Sequence, residues 1–167
     1  MIGLMAVKQR AREMVIERSI MIDAPVEAVF DLLDFASPMN VLRISGYSFR
    51  ENAFGLGRYC AMHDNAPGSI YHFEVDQITP NMTLGFRSWL ECEDPDSVVT
   101  ESRSDYALIA MGEDRCKLEM RETASVRAGA RKRDVERERA AMLELVDAHL
   151  ERLKVIAEYG ADADVAA

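Results

Sequence analysis

The chain has 167 residues, 49% hydrophobic and 29% charged, and carries a formal net charge of -9. That size and balance fit one soluble globular domain with a sizeable core. The acidic surplus argues against a nucleic-acid partner, because such binders gain affinity by neutralising phosphates with Lys and Arg.

Residues 1 to 13 read as a flexible lead-in, with Met5 and Met14 as alternative starts, residues 14 to 160 as a single domain, and 161 to 167 as a flexible tail. The apolar run at residues 1 to 7 precedes Lys8, Arg10 and Arg12, the reverse of a signal peptide's order. No run approaches the ~18 apolar residues that a membrane span needs. A cytoplasmic location is expected.

Residues 15 to 23 are rich in β-branched and apolar side chains and predict a first strand. Pro25 then suits the first turn of a helix, with Glu27 near its positive end. Val26, Val29, Phe30 and Leu33 keep the 3.6-residue period, and Ser37-Pro38 predicts a second, shorter helix through about Leu42. From Arg43 to Ser125 the period becomes two. Six strands are predicted, at about 43 to 51, 57 to 64, 69 to 79, 82 to 90, 97 to 111 and 115 to 126. The links between them, at 52 to 57, 65 to 68, 80 to 81, 93 to 96 and 112 to 114, are short enough to join only antiparallel neighbours.

Residues 131 to 158 hold no Gly or Pro and predict one long helix stopped by Gly160. At 100° per residue, Val135, Met142, Val146, His149, Leu150, Leu153, Ile156 and Ala157 share one face. Glu144, Asp147, Glu151, Lys154 and Glu158 fall opposite. A helix this long needs a large partner surface, and a sheet curled around it buries one face of each.

The opening Ile20-Met21-Ile22-Asp23-Ala24-Pro25-Val26-Glu27-Ala28-Val29-Phe30, with this order of elements, resembles the helix-grip superfamily of START domains, polyketide cyclases and birch-pollen-allergen-like proteins. The resemblance covers roughly residues 14 to 158. It implies an α+β fold in which a seven-stranded antiparallel sheet wraps around the long C-terminal helix, with two short helices after the first strand. It also implies a cavity between sheet and helix, used across the superfamily for lipids, sterols, quinones or polyketides, with or without catalysis.

Strand faces alternate, so the less charged face of each strand should point inward. Val98, Thr100, Ser102, Ser104, Tyr106 and Leu108 share such a face, as do Cys116, Leu118, Met120, Glu122 and Ala124, while Tyr71, Phe73 and Val75 oppose His72, Glu74 and Asp76. His72 is expected to be solvated, and Tyr71, Phe86 and Trp89 to belong to the core or cavity wall. Glu122 is an acid on an apolar face. It needs a partner such as His149, Arg139 or Tyr106 if it is buried, and none if it lies at the sheet's rim.

His149 reads as a core histidine, a ligand contact or an acid-base group. Arg139 is placed at the cavity mouth or snorkelling to water. The predicted ligand-binding set is therefore Tyr71, Phe86, Ser102, Ser104, Tyr106, Met120, Glu122, Arg139, Met142, Val146, His149 and Leu153, with His149 and Glu122 as the candidates for catalysis. Ten methionines suit a pliable pocket.

Three cysteines, Cys60, Cys92 and Cys116, form no C-x-x-C pair, which argues against a disulfide framework or a thiolate zinc site. Cys60 and His63 point to opposite strand faces and form no thiol-imidazole pair. No metal and no cofactor are predicted. The sequence holds no P-loop, G-x-S-x-G or H-E-x-x-H context, and Gly55-Leu56-Gly57 lacks a third glycine and a following helix. The leading expectation is binding or transport of a small hydrophobic ligand. One alternative is a cyclase or dehydratase using His149 or Glu122. Another is an interaction module, with the acidic segment 91 to 96 or the basic helix start at 127 to 139 contacting a protein partner.

Overall fold

The computed structural model describes residues 12–51, 57–92 and 95–161. Residues 52–56 of the predicted turn at 52 to 57 and the centre of the acidic loop, Glu93 and Asp94, lie outside the described residues, as do residues 1–11 and 162–167. The elements run β1 (Arg12–Ile22), α1 (Val26–Leu33), α2 (Val41–Ile44), β2 (Tyr47–Glu51), β3 (Arg58–His63), β4 (Ala66–Thr79), β5 (Thr83–Leu90), β6 (Val99–Ala110), β7 (Cys116–Val126) and α3 (Lys132–Tyr159). One antiparallel sheet orders them β1-β7-β6-β5-β4-β3-β2, and α3 lies across its concave face.

Several boundaries differ from expectation. β1 starts at Arg12, inside the expected lead-in, because its ladder with β7 continues to Arg12 opposite Val126. The second helix begins at Val41 rather than near Pro38. Asn40 is its N-cap: the side chain is 1% exposed, accepts the Leu42 N–H at 3.1 Å and donates to the Leu33 carbonyl at 3.0 Å. Arg43 and Ile44 thus belong to α2, and β2 starts only at Tyr47, after Gly46 turns the chain at φ +89°. β4 starts at Ala66 and takes in Pro67 and Gly68. Its register against β3 shifts between Met62 and His63, and such an irregularity tolerates a proline that cannot donate to the ladder.

The core follows from alternation. Ile16, Ile22, Leu84, Phe86, Leu108, Cys116 and Leu118 point inward and meet Val146, Leu150, Leu153 and Ile156 of α3. Phe35, just beyond α1, plugs one end, its ring 4.8 to 5.7 Å from Phe73, Phe86, Tyr59 and Phe49. The outer face carries cross-strand ion pairs such as Arg103–Asp76 at 2.6 Å and Arg87–Glu74 at 2.9 Å. Such half-exposed pairs favour this register more than they add stability.

Side chains at both ends of α3 tie it to the sheet. Asp147 holds Arg18 of β1 at 2.7 Å, and Ser97 donates to Glu138 at 2.7 Å. Glu158, expected on the solvent face, is instead 9% exposed at its side chain and accepts the Asp23 N–H at 2.8 Å, securing the corner after β1. Among the described residues, no helix is long and apolar enough to cross a membrane.

Leu153 is fully buried. Leu153→Ala should destabilise the fold by about 2–5 kcal/mol through the cavity it leaves, measured as a lower midpoint of urea unfolding.

Candidate functional site

α3 does not seal against the sheet everywhere. Its buried residues, Val146, Leu150, Leu153 and Ile156, all lie in the second half of the helix. Val135, near the start, packs on a separate small core of Met14, Val98, Ala124 and Val126. Between these two contacts a cavity of about 380 Å³ remains, lined by Leu42, the aromatics Tyr47, Tyr71, Phe73 and Phe86, and Met142, Leu145, Val146 and His149 of α3. Its floor is the inner face of β5–β7, with Ser88, Ser102, Ser104, Tyr106, Met120 and Glu122. A volume of this size suits a small ligand.

A second hollow of about 280 Å³ shares Tyr71, Ser88, Ser102, Met142 and Leu145 with the cavity and reaches Ser97 and Glu138, forming its vestibule. A larger depression of about 670 Å³ lies on the outer sheet surface among Glu17, Gln77, Asp105, Glu119 and Arg121. It is open and charged, unlike an apolar ligand pocket.

The predicted site residues therefore gather around one space, with two exceptions. Arg139 is exposed and lies outside the cavity lining, because one residue of helix rotates the side chain by about 100° and brings Glu138 to the mouth instead. Leu153 packs wholly inside the core and reaches no cavity surface. Thr100, expected on the inward hydroxyl face, is exposed. The register of β6 shifts between Val99 and Glu101, so Thr100 has no ladder partner on β7 and only its hydroxyl donates there, to the Ser125 carbonyl at 3.4 Å. Trp89, expected in the core or cavity wall, stacks on His72, its cross-strand partner on the outer face.

The sequence reading left Leu42, Tyr47, Phe73, Ser88 and Leu145 out of its predicted set, although it sorted Phe73 to the inner face with Tyr71. Ser88 was accessible to it, since Leu84, Phe86 and Ser88 alternate inward. Tyr47 and Leu42 depended on where α2 ends. Leu145 is 70% exposed yet lines the mouth, a position that no periodicity argument assigns to a ligand.

Two polar pairs stand in this apolar setting. Ser104 and Glu122 face each other across β6 and β7, and the Ser104 hydroxyl donates to the Glu122 carboxyl at 2.5 Å. Glu122 is 6% exposed, so it is not at the sheet's rim, and no cation pairs with it among the described residues. Burial raises its pKa above the usual carboxylate range, partly offset by hydrogen bonds from Ser104 and Ser102. The second pair is Tyr106 and His149, whose hydroxyl and Nε2 lie 3.2 Å apart. Burial lowers the His149 pKa to about 4 and raises that of the Tyr106 phenol, in the latter case with help from the Glu122 carboxylate. Near neutral pH the imidazole and phenol are both uncharged. The cavity thus offers hydrogen bonds without a balancing charge.

These shifts carry opposite signs in a stability profile. His149 is depressed, so its contribution is present above its ordinary value of 6.5 and is lost as pH falls toward about 4, by about 3 kcal/mol. Glu122 is raised, so its contribution is present at acid pH and is lost as pH rises through its folded value. Glu122→Gln, which retains a partner for Ser104, should therefore gain melting temperature over the parent protein progressively as pH rises from the ordinary carboxylate range toward alkaline values. His149→Gln should flatten the parent's acid-side loss. Calorimetry across that range reads both effects.

No family model matches this sequence, and no curated protein sequence does either. Solved structures do match in shape. The Zhui aromatase/cyclase from Streptomyces sp. R1128 is 16% identical with a TM-score of 0.64, covering 87% of this chain and 94% of that one. Ara h 8.0201 is 13% identical with a TM-score of 0.62, covering 91% of this chain and all of that one. DynU16, a protein of the dynemicin biosynthetic locus, is 20% identical with a TM-score of 0.55, covering 87% of this chain and 48% of that one. Likeness at such identities establishes the fold.

Proposed function

We propose that this helix-grip protein binds a small, mostly apolar ligand between α3 and the sheet, with an uncharged polar end seated at Glu122, Ser104, Tyr106 and His149. The observation that carries this reading is the stand-off of α3 over Met142 to His149. It leaves about 380 Å³ walled by aromatic and aliphatic side chains around two hydrogen-bonded polar pairs. Empty apolar space forfeits dispersion contacts, and a ligand restores them.

The electrostatics select the ligand's polar end. Among the described residues Glu122 has no paired cation, and Glu138 adds a carboxylate at the vestibule. A ligand carboxylate would meet only acidic or neutral groups. A hydroxyl, phenol or carbonyl finds donors and acceptors that are already desolvated.

Val146→Trp should fill the cavity and abolish binding of an apolar fluorescent probe while leaving the helical circular dichroism intact. His149→Leu should weaken a hydroxyl-bearing ligand by about tenfold, the worth of one buried hydrogen bond. A long-chain alcohol should bind about tenfold more tightly than the matching carboxylate at neutral pH, for want of a cation to pair with. Equal affinities in calorimetric titration would contradict the proposed polar end.

A second reading rests on the same pairs. A carboxyl whose pKa burial raises and a neutral base on one apolar cavity can move a proton on a bound polyketide-like substrate, Glu122 giving it and His149 taking it. The cavity then contributes by holding the substrate folded and excluding water. Turnover of such a substrate that survives Glu122→Gln combined with His149→Gln would dispose of this chemistry.

A further inference from the structure

A second set of reactive groups lies on the opposite face of the sheet. Ala61 and Phe73 are buried inward, so their neighbours Cys60 and His72 face outward. The register places Arg50, Cys60, His72 and Trp89 in one row across β2, β3, β4 and β5. His72 Nδ1 is 3.2 Å from Cys60 Sγ. Its ring lies flat on the Trp89 indole, centroids 5.4 Å apart and planes 11° apart, which fixes the imidazole's orientation. Nε2 is 3.9 Å from a carboxylate oxygen of Glu91.

Glu91 reaches this position because the ladder continues past β5: its N–H donates to the Ile70 carbonyl at 2.9 Å. The His72 side chain is only 20% exposed, so it is not the solvated histidine that strand alternation alone predicted. Nor does the sequence argument that separated Cys60 from His63 hold for this partner, because His72 comes from the neighbouring strand.

We propose that Cys60, His72 and Glu91 form a thiol–disulfide exchange site on the outer sheet face, which takes low-molecular-weight disulfides. The Glu91 carboxylate, 3.9 Å from Nε2 and beyond hydrogen-bond reach, acts through its charge alone to favour the tautomer with its proton on Nε2, leaving the Nδ1 lone pair toward the thiol. Arg50 is the cross-strand partner of Cys60 on the same face, a position from which a cation favours the developing thiolate. Nδ1 takes the thiol proton as Sγ attacks one sulfur of the disulfide. The new bond is Cys60 Sγ to that sulfur, the bond that breaks is the ligand's S–S, and the departing thiolate leaves as a thiol with the proton from Nδ1. The disulfide itself is the oxidant.

The other two cysteines provide internal contrasts. Cys92 is exposed, and Cys116 is fully buried, with burial raising its thiol pKa. An exposed thiol, a buried thiol, and a part-buried thiol on an imidazole are thus present in one chain.

The test uses the full chain carrying Cys92→Ser, with 4,4′-dithiodipyridine as the probe. Released thiopyridone gives the rate, and mass spectrometry of peptides locates the mixed disulfide. Near neutral pH, Cys60 should react about tenfold faster than N-acetylcysteine, and His72→Ala should remove most of that advantage. Added imidazole should restore part of the rate to His72→Ala, a rescue that a purely structural role for the ring would not allow. A Cys60 that reacts no faster than N-acetylcysteine overturns the proposal, and this comparison needs no variant at His72. So does a folded His72→Ala protein with an undiminished rate.

Discussion

A concave sheet of seven strands presents more inward apolar surface than one helical stripe can cover, and the rest of the structure follows from that mismatch. The second half of α3 meets the sheet closely through Val146, Leu150, Leu153 and Ile156. Its start is fixed separately, by Val135 on the small Met14, Val98 and Val126 core and by Glu138 on Ser97. Between two fixed ends a stiff helix cannot sag to close a gap. The space under Met142 to His149 is therefore a consequence of how the two elements are joined.

The same geometry sets the chemistry of the cavity. Side chains on β6 and β7 under the gap face little water and, among the described residues, no cation, so ionisable groups there settle toward their neutral forms. Glu122 moves up in pKa and His149 moves down, each because burial penalises its charged form. Replacing these groups by apolar ones would spare that desolvation cost. Their presence on an otherwise apolar floor is what the proposed ligand orientation rests on. Serines on β5 and β6 extend the polar patch, with Ser88 and Ser102 bonded at 3.0 Å.

Much of this was legible in the sequence, for identifiable reasons. Period-two alternation sorted Ser102, Ser104, Tyr106, Met120 and Glu122 to the inner face, and the 3.6-residue period put Met142, Val146 and His149 opposite them. What escaped depended on information that periodicity does not contain. The register shifts in β6 and β4 turned Thr100 outward and let Pro67 into a strand. The Asn40 cap moved the start of α2, and with it the start of β2. Arg139 and Glu138 differ by one helical step, finer than a stripe argument resolves. Trp89 on the outer face, and the pairing of Cys60 with His72, required strand order and cross-strand register, which alternation within a single strand cannot supply.

The central claim is that the space under α3 holds a small apolar ligand, and native mass spectrometry of the freshly purified protein tests it most directly. The account predicts a discrete added mass that disappears on denaturation and is absent from Val146→Trp. Its extracted species should be mostly apolar, with an uncharged polar group. The same added mass on both proteins, or a parent protein that stays at its bare mass through titration with apolar alcohols and phenols, would contradict it.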